Sequence, residues 1–205
     1  IWIANPNNPT GTFLPYDELK TFIGSLPRDI IVVLDEAYNE YLAPEHRVDT
    51  TAWLAEFDNL VITRTFSKIY GMAGLRIGFA LCSPAVADLM NRVRQPFNCN
   101  NLALAGAIAA LEDADFLDLS YRLNAAGMQQ IVAGLDALGL KHLPSHANFV
   151  TFHVADAAAV NQKLLKQGVI IRPLAGYAMH DWLRVTIGTE AENTRFLTAL
   201  KTALV

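Results

Sequence analysis

Lys68 lies in Thr65-Phe66-Ser67-Lys68, and Arg76 follows eight residues later within Gly74-Leu75-Arg76-Ile77-Gly78. A primary amine flanked by hydroxyls and backed by a guanidinium suits a phosphorylated aldehyde. The amine condenses with the carbonyl, while the hydroxyls and the arginine grip the phosphate. Two earlier segments supply what such a molecule also needs. Asn5-Pro6-Asn7-Asn8-Pro9-Thr10-Gly11 offers an amide donor at Asn8, and Asp35-Glu36-Ala37-Tyr38 puts a carboxylate and a phenol at the end of an apolar run. Together they point to pyridoxal 5′-phosphate (PLP), an electron sink that a protein must bind, orient and tune.

Each residue has a task in that chemistry. The sink is strongest with a protonated pyridine nitrogen, and Asp35 ends an apolar strand where its charge needs a partner. Tyr38 and Asn8 can reach the phenolate oxygen of the ring. Lys68 would hold the aldehyde carbon and then move a proton at the substrate Cα, which asks for a desolvated amine near cationic neighbours. Thr65, Ser67 and Arg76 would hold the phosphate. Each also has a plainer account when taken singly. Asp35 and Asn8 suit turns, Tyr38 a core edge, Lys68 a solvated surface, and Arg76 a pairing with some acid. The combination is far more specific than any member. Gly71-Met72-Ala73-Gly74 fits neither a dinucleotide fingerprint nor a Walker loop.

These side chains need elements to position them. Strand patterns at 1–4, 30–35, 59–63 and 76–82, with a helix at 15–26, predict an α/β arrangement: a mainly parallel sheet with flanking helices. Ligands gather at the carboxyl ends of such strands, where Asn8, Asp35 and Lys68 all fall. Helices are expected at 84–93, 102–111 and 116–138, the second short, alanine-rich and read as buried. A small α+β region follows, with strands at 148–154, 169–172 and 182–187 and helices at 157–166 and 190–204. Thr189 and Glu192 form a capping-box pattern for the last helix. The expected division is 1–114, part of a PLP-binding large domain, and 115–205, a small C-terminal domain that includes the linking helix.

The chain of 205 residues is 52% hydrophobic and 18% charged, with a formal charge of −4. That is a globular composition with no electrostatic attraction to nucleic acid or an anionic membrane. Cys82 and Cys99 lack metal-type spacing, the five histidines are ungrouped, and a reduced, cytoplasmic setting with no metal fits best. No run is long and apolar enough to span a bilayer. The chain opens on Ile1-Trp2-Ile3-Ala4, a strand with no lead-in, as expected of the C-terminal portion of something longer.

The segments Asn5–Gly11, Asp35–Tyr38, Ser67–Gly78 and Leu183-Arg184-Val185-Thr186-Ile187-Gly188 together resemble the fold-type-I PLP aminotransferases. Within that group the chain is most similar to histidinol-phosphate aminotransferases. The finer likeness rests on Arg94-Gln95-Pro96-Phe97-Asn98, Pro144-Ser145 with Ala147-Asn148-Phe149, and Ile171-Arg172-Pro173 leading into Ala175-Gly176-Tyr177. The resemblance implies that Lys68 bonds the cofactor, Asp35 partners the pyridine nitrogen, Asn8 and Tyr38 bind the ring oxygen, and Thr65, Ser67 and Arg76 bind the phosphate. It further implies that Arg184 takes the carboxylate of the amino donor and Arg172 the phosphate of histidinol phosphate. Cys99 and Ala178 stand where the family more often has valine and glycine. The implied activity is amino transfer between glutamate and imidazole acetol phosphate in a homodimer with shared active sites, joined by an N-terminal portion that bears further cofactor contacts. Two alternatives stay open. One is a related PLP enzyme acting on aromatic or phosphorylated amino acids, and the other an aminotransferase-like sensing domain of a transcription regulator.

Overall fold

The structure is a computed structural model and describes residues 1–205. Apolar, β-branched runs form a four-stranded sheet of β1 (Trp2–Ala4), β2 (Val32–Asp35), β3 (Leu60–Thr65) and β4 (Gly78–Cys82), in that spatial order. The first three strands are parallel, whereas β4 runs antiparallel to β3, so the sheet is mixed. Side chains alternate across a strand. Val32 and Leu34 of β2, with Leu60 and Ile62 of β3, therefore share one face, and they pack with Leu19 and Ile23 of α1 (Tyr16–Ser25), Trp53 and Phe57. Burying each such aliphatic side chain contributes about 2 kcal/mol. Pro15 stands at the N-cap of α1 with φ −54°, already set for the helix it precedes.

Three helices follow: α2 (Pro84–Val93), α3 (Asn101–Glu112) and α4 (Ala114–Ala137). The expectation of a buried α3 is corrected. Only Ala103 and Ala107 are buried, against Phe66 and Ile77, while Leu102, Leu104, Ile108 and Leu111 are exposed. The small residues, four apart, make the narrow contact stripe, and the leucines point away from it.

The second sheet has β5 (Phe149–His153), β6 (Arg172–Pro173) and β7 (Trp182–Thr186), ordered β5-β7-β6 and antiparallel throughout. With α5 (Ala157–Lys166), α6 (Glu190–Ala203) and the C-terminal half of α4 it encloses a core containing Ile131, Leu135, Phe152, Leu164, Leu183 and Phe196. The strand expected at 169–172 shrinks to its last residue plus Pro173. The Gly168 and Val169 N–H groups bond instead to Leu165 and Leu164, closing the end of α5, with Gly168 at φ +73°. The capping box of Thr189 and Glu192 is present on α6.

The chain divides into two compact units, Ile1–Pro6 with Phe13–Leu119, and Asn7–Thr12 with Ser120–Val205. Asn5-Pro6 and Asn8-Pro9 are cis peptides. No helix is long and apolar enough to cross a membrane.

Candidate active site

In the first unit, Asp35 ends β2 opposite Thr63 of β3, so Asp35, Thr63 and Thr65 line one sheet face near the strand ends. The Asp35 carboxylate accepts the Ala37 N–H at 3.1 Å, a tight turn that leads straight to Tyr38, which is buried. Thr65 stands opposite Gly78, where an added Cβ would lie 2.8 Å from the Arg64 carbonyl oxygen. Beyond β3, the Ser67 N–H bonds the Thr65 hydroxyl at 3.0 Å. The carbonyl of Lys68 accepts the Gly71 N–H at 2.9 Å, closing a turn in which Gly71 has φ +69°. Lys68 Nζ lies over the Tyr38 ring, 5.2 Å from its centroid. Arg76 is exposed, holds a left-handed φ of 55° and donates to the Ala73 carbonyl at 2.8 Å. A bulky residue in that region is a local strain of the sort found at binding sites.

The desolvated environment asked of Lys68 is not what this unit provides, since the residue is exposed. Its immediate chain neighbours do not close over it.

In the second unit, Asn8 and Arg184 meet directly, the guanidinium Nη1 donating to the side-chain amide oxygen Oδ1 of Asn8. Arg184 also stacks 4.7 Å over the Phe149 ring, and its Nε is buried without a partner. Across the sheet, Thr151, Arg184 and Arg172 form one row, each opposite the next. The Thr151 hydroxyl donates to the Pro9 carbonyl at 2.5 Å, and the His146 N–H bonds the Gly11 carbonyl at 2.8 Å, so the 7–12 loop is held on that row. Two guanidiniums on directly paired strand positions repel. Neither is in an ion pair with a carboxylate. Such a pair is suited to an anion.

Sequence reasoning passed over one group. Glu36 is fully buried and ion-paired with Arg64, whose Nη2 lies 2.8 Å from Oε2. Tyr16, Asn39, Glu40 and Thr50 surround the pair or lie close to it. Burial and the neighbouring Glu36 carboxylate push the Tyr16 phenol far above its ordinary range. Burial also raises Glu40, with Arg64 and Arg47 partly offsetting it. The missed signal was an acid at the next alternate position of the apolar face of β2, where only a buried partner makes it tolerable.

The residues in the first unit suit a phosphorylated aldehyde by donor type: an exposed amine over a phenol ring, a strand-end carboxylate on the sheet face that carries Thr65, then Ser67 and Arg76. The family model "Aminotransferase class I and II" matches residues 1–200, and the chain belongs to that family. It is 66% identical to a histidinol-phosphate aminotransferase of Dechloromonas aromatica over 204 residues, covering 100% of this chain and 56% of that protein. Against the histidinol-phosphate aminotransferase of Methylobacillus flagellatus the identity is 61%, covering 100% and 55%. The crystal structure of the Sinorhizobium meliloti histidinol-phosphate aminotransferase in complex with pyridoxal-5′-phosphate superposes with a TM-score of 0.91 at 33% identity, covering 99% of this chain and 56% of that one. The chain thus spans about half the length of the curated relatives it matches.

Proposed function

We propose that this chain carries the cofactor lysine and the substrate arginines of a PLP-dependent histidinol-phosphate aminotransferase, which moves an amino group between glutamate and imidazole acetol phosphate. Bound PLP supplies an electron sink for the bond broken at the substrate Cα. Lys68 holds the aldehyde carbon and carries the proton at Cα. Asp35 keeps the pyridine nitrogen protonated, and Tyr38 and Asn8 donate to the ring oxygen. Thr65, Ser67 and Arg76 bind the cofactor phosphate, Arg184 the substrate carboxylate and Arg172 the substrate phosphate.

One observation supports this reading most: the unneutralised pair Arg172–Arg184 on facing strands, with a buried, unpartnered Arg184 Nε. Two cations held together suit a site that takes two anionic substrates in turn, one by its carboxylate and the other by its phosphate. The names of the relatives point the same way. A homodimer in the cytoplasm completes the proposal. Val93, Phe97, Leu102 and Ile108, all in the first unit, are at least 63% exposed, an apolar surface suited to a subunit contact.

The test is a half-reaction in the full polypeptide. PLP is loaded, histidinol phosphate is added without an acceptor, and the visible band of the cofactor is followed. It should move to the near ultraviolet in the parent and not in Lys68→Ala. Arg172→Ala should raise the KM for histidinol phosphate by about 10- to 100-fold while changing that for glutamate little. A band that ignores histidinol phosphate but responds to aromatic amino acids would overturn the substrate assignment.

A further inference from the structure

Resting on the aminotransferase assignment above, we propose that Glu36, with Arg64, Tyr16 and Thr50, is a clamp that fixes the Asp35–Tyr38 turn in its cofactor-binding geometry. The Glu36 carboxylate is fully buried and its acceptor sites are filled from three directions. Oε1 accepts from the Tyr16 hydroxyl at 3.2 Å and the Thr50 hydroxyl at 2.7 Å. Oε2 accepts from Arg64 Nε at 2.9 Å, and Arg64 Nη2 lies 2.8 Å from it in the ion pair. The donors come from α1, from the turn of 3₁₀ helix Thr50–Ala55 and from β3.

The Tyr16 hydroxyl also lies 2.9 Å from Asn39 Oδ1. One phenol therefore ties the residue after Asp35 to the residue after Tyr38, bracketing the turn. The backbone repeats the bracket. The Glu36 N–H bonds the Thr63 carbonyl at 2.9 Å, extending the β2–β3 ladder, and the Asn39 N–H bonds the Glu36 carbonyl at 3.1 Å. Alternation sends Asp35 and Glu36 to opposite faces of the sheet. One acid is left to face a ligand while its neighbour is locked away from it.

A buried ion pair is a poor source of stability compared with apolar side chains of the same volume. Its position accounts for it better. The ionisable groups around the pair are Tyr16 and Glu40, with Asp49 and Tyr70 near Arg64 and Arg47 near Glu40. None of them belongs to the set of residues assigned to cofactor or substrate, so the four clamp residues act through Asp35 and Tyr38.

Tyr16→Phe removes only the bridging hydroxyl and keeps the ring packed on Phe13 and Trp53. In the unloaded full polypeptide, amide hydrogen exchange at Ala37–Asn39 should quicken by about tenfold, with Tm within about 4 °C of the parent. In the PLP-loaded protein without substrate, the pH midpoint of the visible band should move by about half a unit, and kcat should fall about tenfold with KM changed less than about twofold. The double variant Glu36→Leu/Arg64→Met fills the same space with apolar groups, so it should keep the parental Tm yet show the same displaced midpoint and lowered kcat. Parental exchange rates, midpoint and kcat in a folded Tyr16→Phe would overturn the clamp, whatever the double variant does. A parent that never develops a visible band with PLP would instead defeat the aminotransferase assignment, and the exchange measurement would still decide the bracket.

Discussion

Ala178 holds a left-handed backbone with φ 59°. A Cβ in that region costs roughly 1–2 kcal/mol, and glycine returns part of that through its freer unfolded chain. Ala178→Gly should therefore stabilise the protein by about 0.5–1 kcal/mol, read as a raised urea midpoint with unchanged slope. Glu40 offers a test by pH. Burial raises its carboxyl above the ordinary value of 4.5, so the folded state favours the protonated form. Stability from that group is fully present below its unfolded pKa and is lost as pH rises through the higher folded pKa. Tm measured from pH 4 upward should fall in the parent relative to Glu40→Gln across that window. The chemistry-bearing residues were legible as a set, because a lysine, hydroxyls, an arginine and a strand-end acid together after apolar strands are far more specific than any one of them. Glu36 was not, because a lone acid in a strand pattern carries no sign of the arginine that neutralises it.

At the scale of elements, α6 is the clearest case of local chemistry deciding structure. The Thr189 hydroxyl accepts the Glu192 N–H, and the Glu192 carboxylate accepts the Thr189 N–H at 2.8 Å. Thr189→Ala should cost about 1 kcal/mol of stability, seen in a denaturant melt. The Glu192 carboxyl is held below its usual range by its bonds to the Thr189 backbone and side chain. Its contribution is therefore present above the ordinary carboxylate pKa and is lost as pH falls through the lower folded value. The acid limb of the stability profile should flatten in Thr189→Ala. The same helix boundaries could be read from the sequence within a residue or two, since caps are made by residues three positions apart. The β6 strand could not, because backbone donors of 168 and 169 had two competing uses and the end of α5 took them.

Across the whole molecule, each unit has its own core, and the boundary falls inside α4 between Leu119 and Ser120. Units with separate cores fold separately as a rule. Residues 120–205 produced alone should unfold in one cooperative transition with a calorimetric enthalpy on the order of 60 kcal/mol. A broad transition without a heat peak would show that the core around Phe152 and Phe196 needs the rest of the chain. The 7–12 segment belongs with that second unit although the 107 residues Phe13–Leu119 of the first intervene before Ser120. Such a piece keeps Thr151 and Arg184 but lacks the Pro9 and Asn8 oxygens that they bond.

The sequence by itself determined the α/β class, the element order and the cap of the last helix, and it singled out the residues proposed for PLP, since each depends on periodicity or on neighbours close along the chain. Only the tertiary structure decided which of those residues meet. Asn8 touches Arg184 across 176 positions, Arg172 faces Arg184 across a strand pair, and Glu36 meets Arg64, Tyr16 and Thr50 from three elements. Contacts of that kind follow from strand order and register, which depend on how whole faces bury one another and leave no mark at any single position.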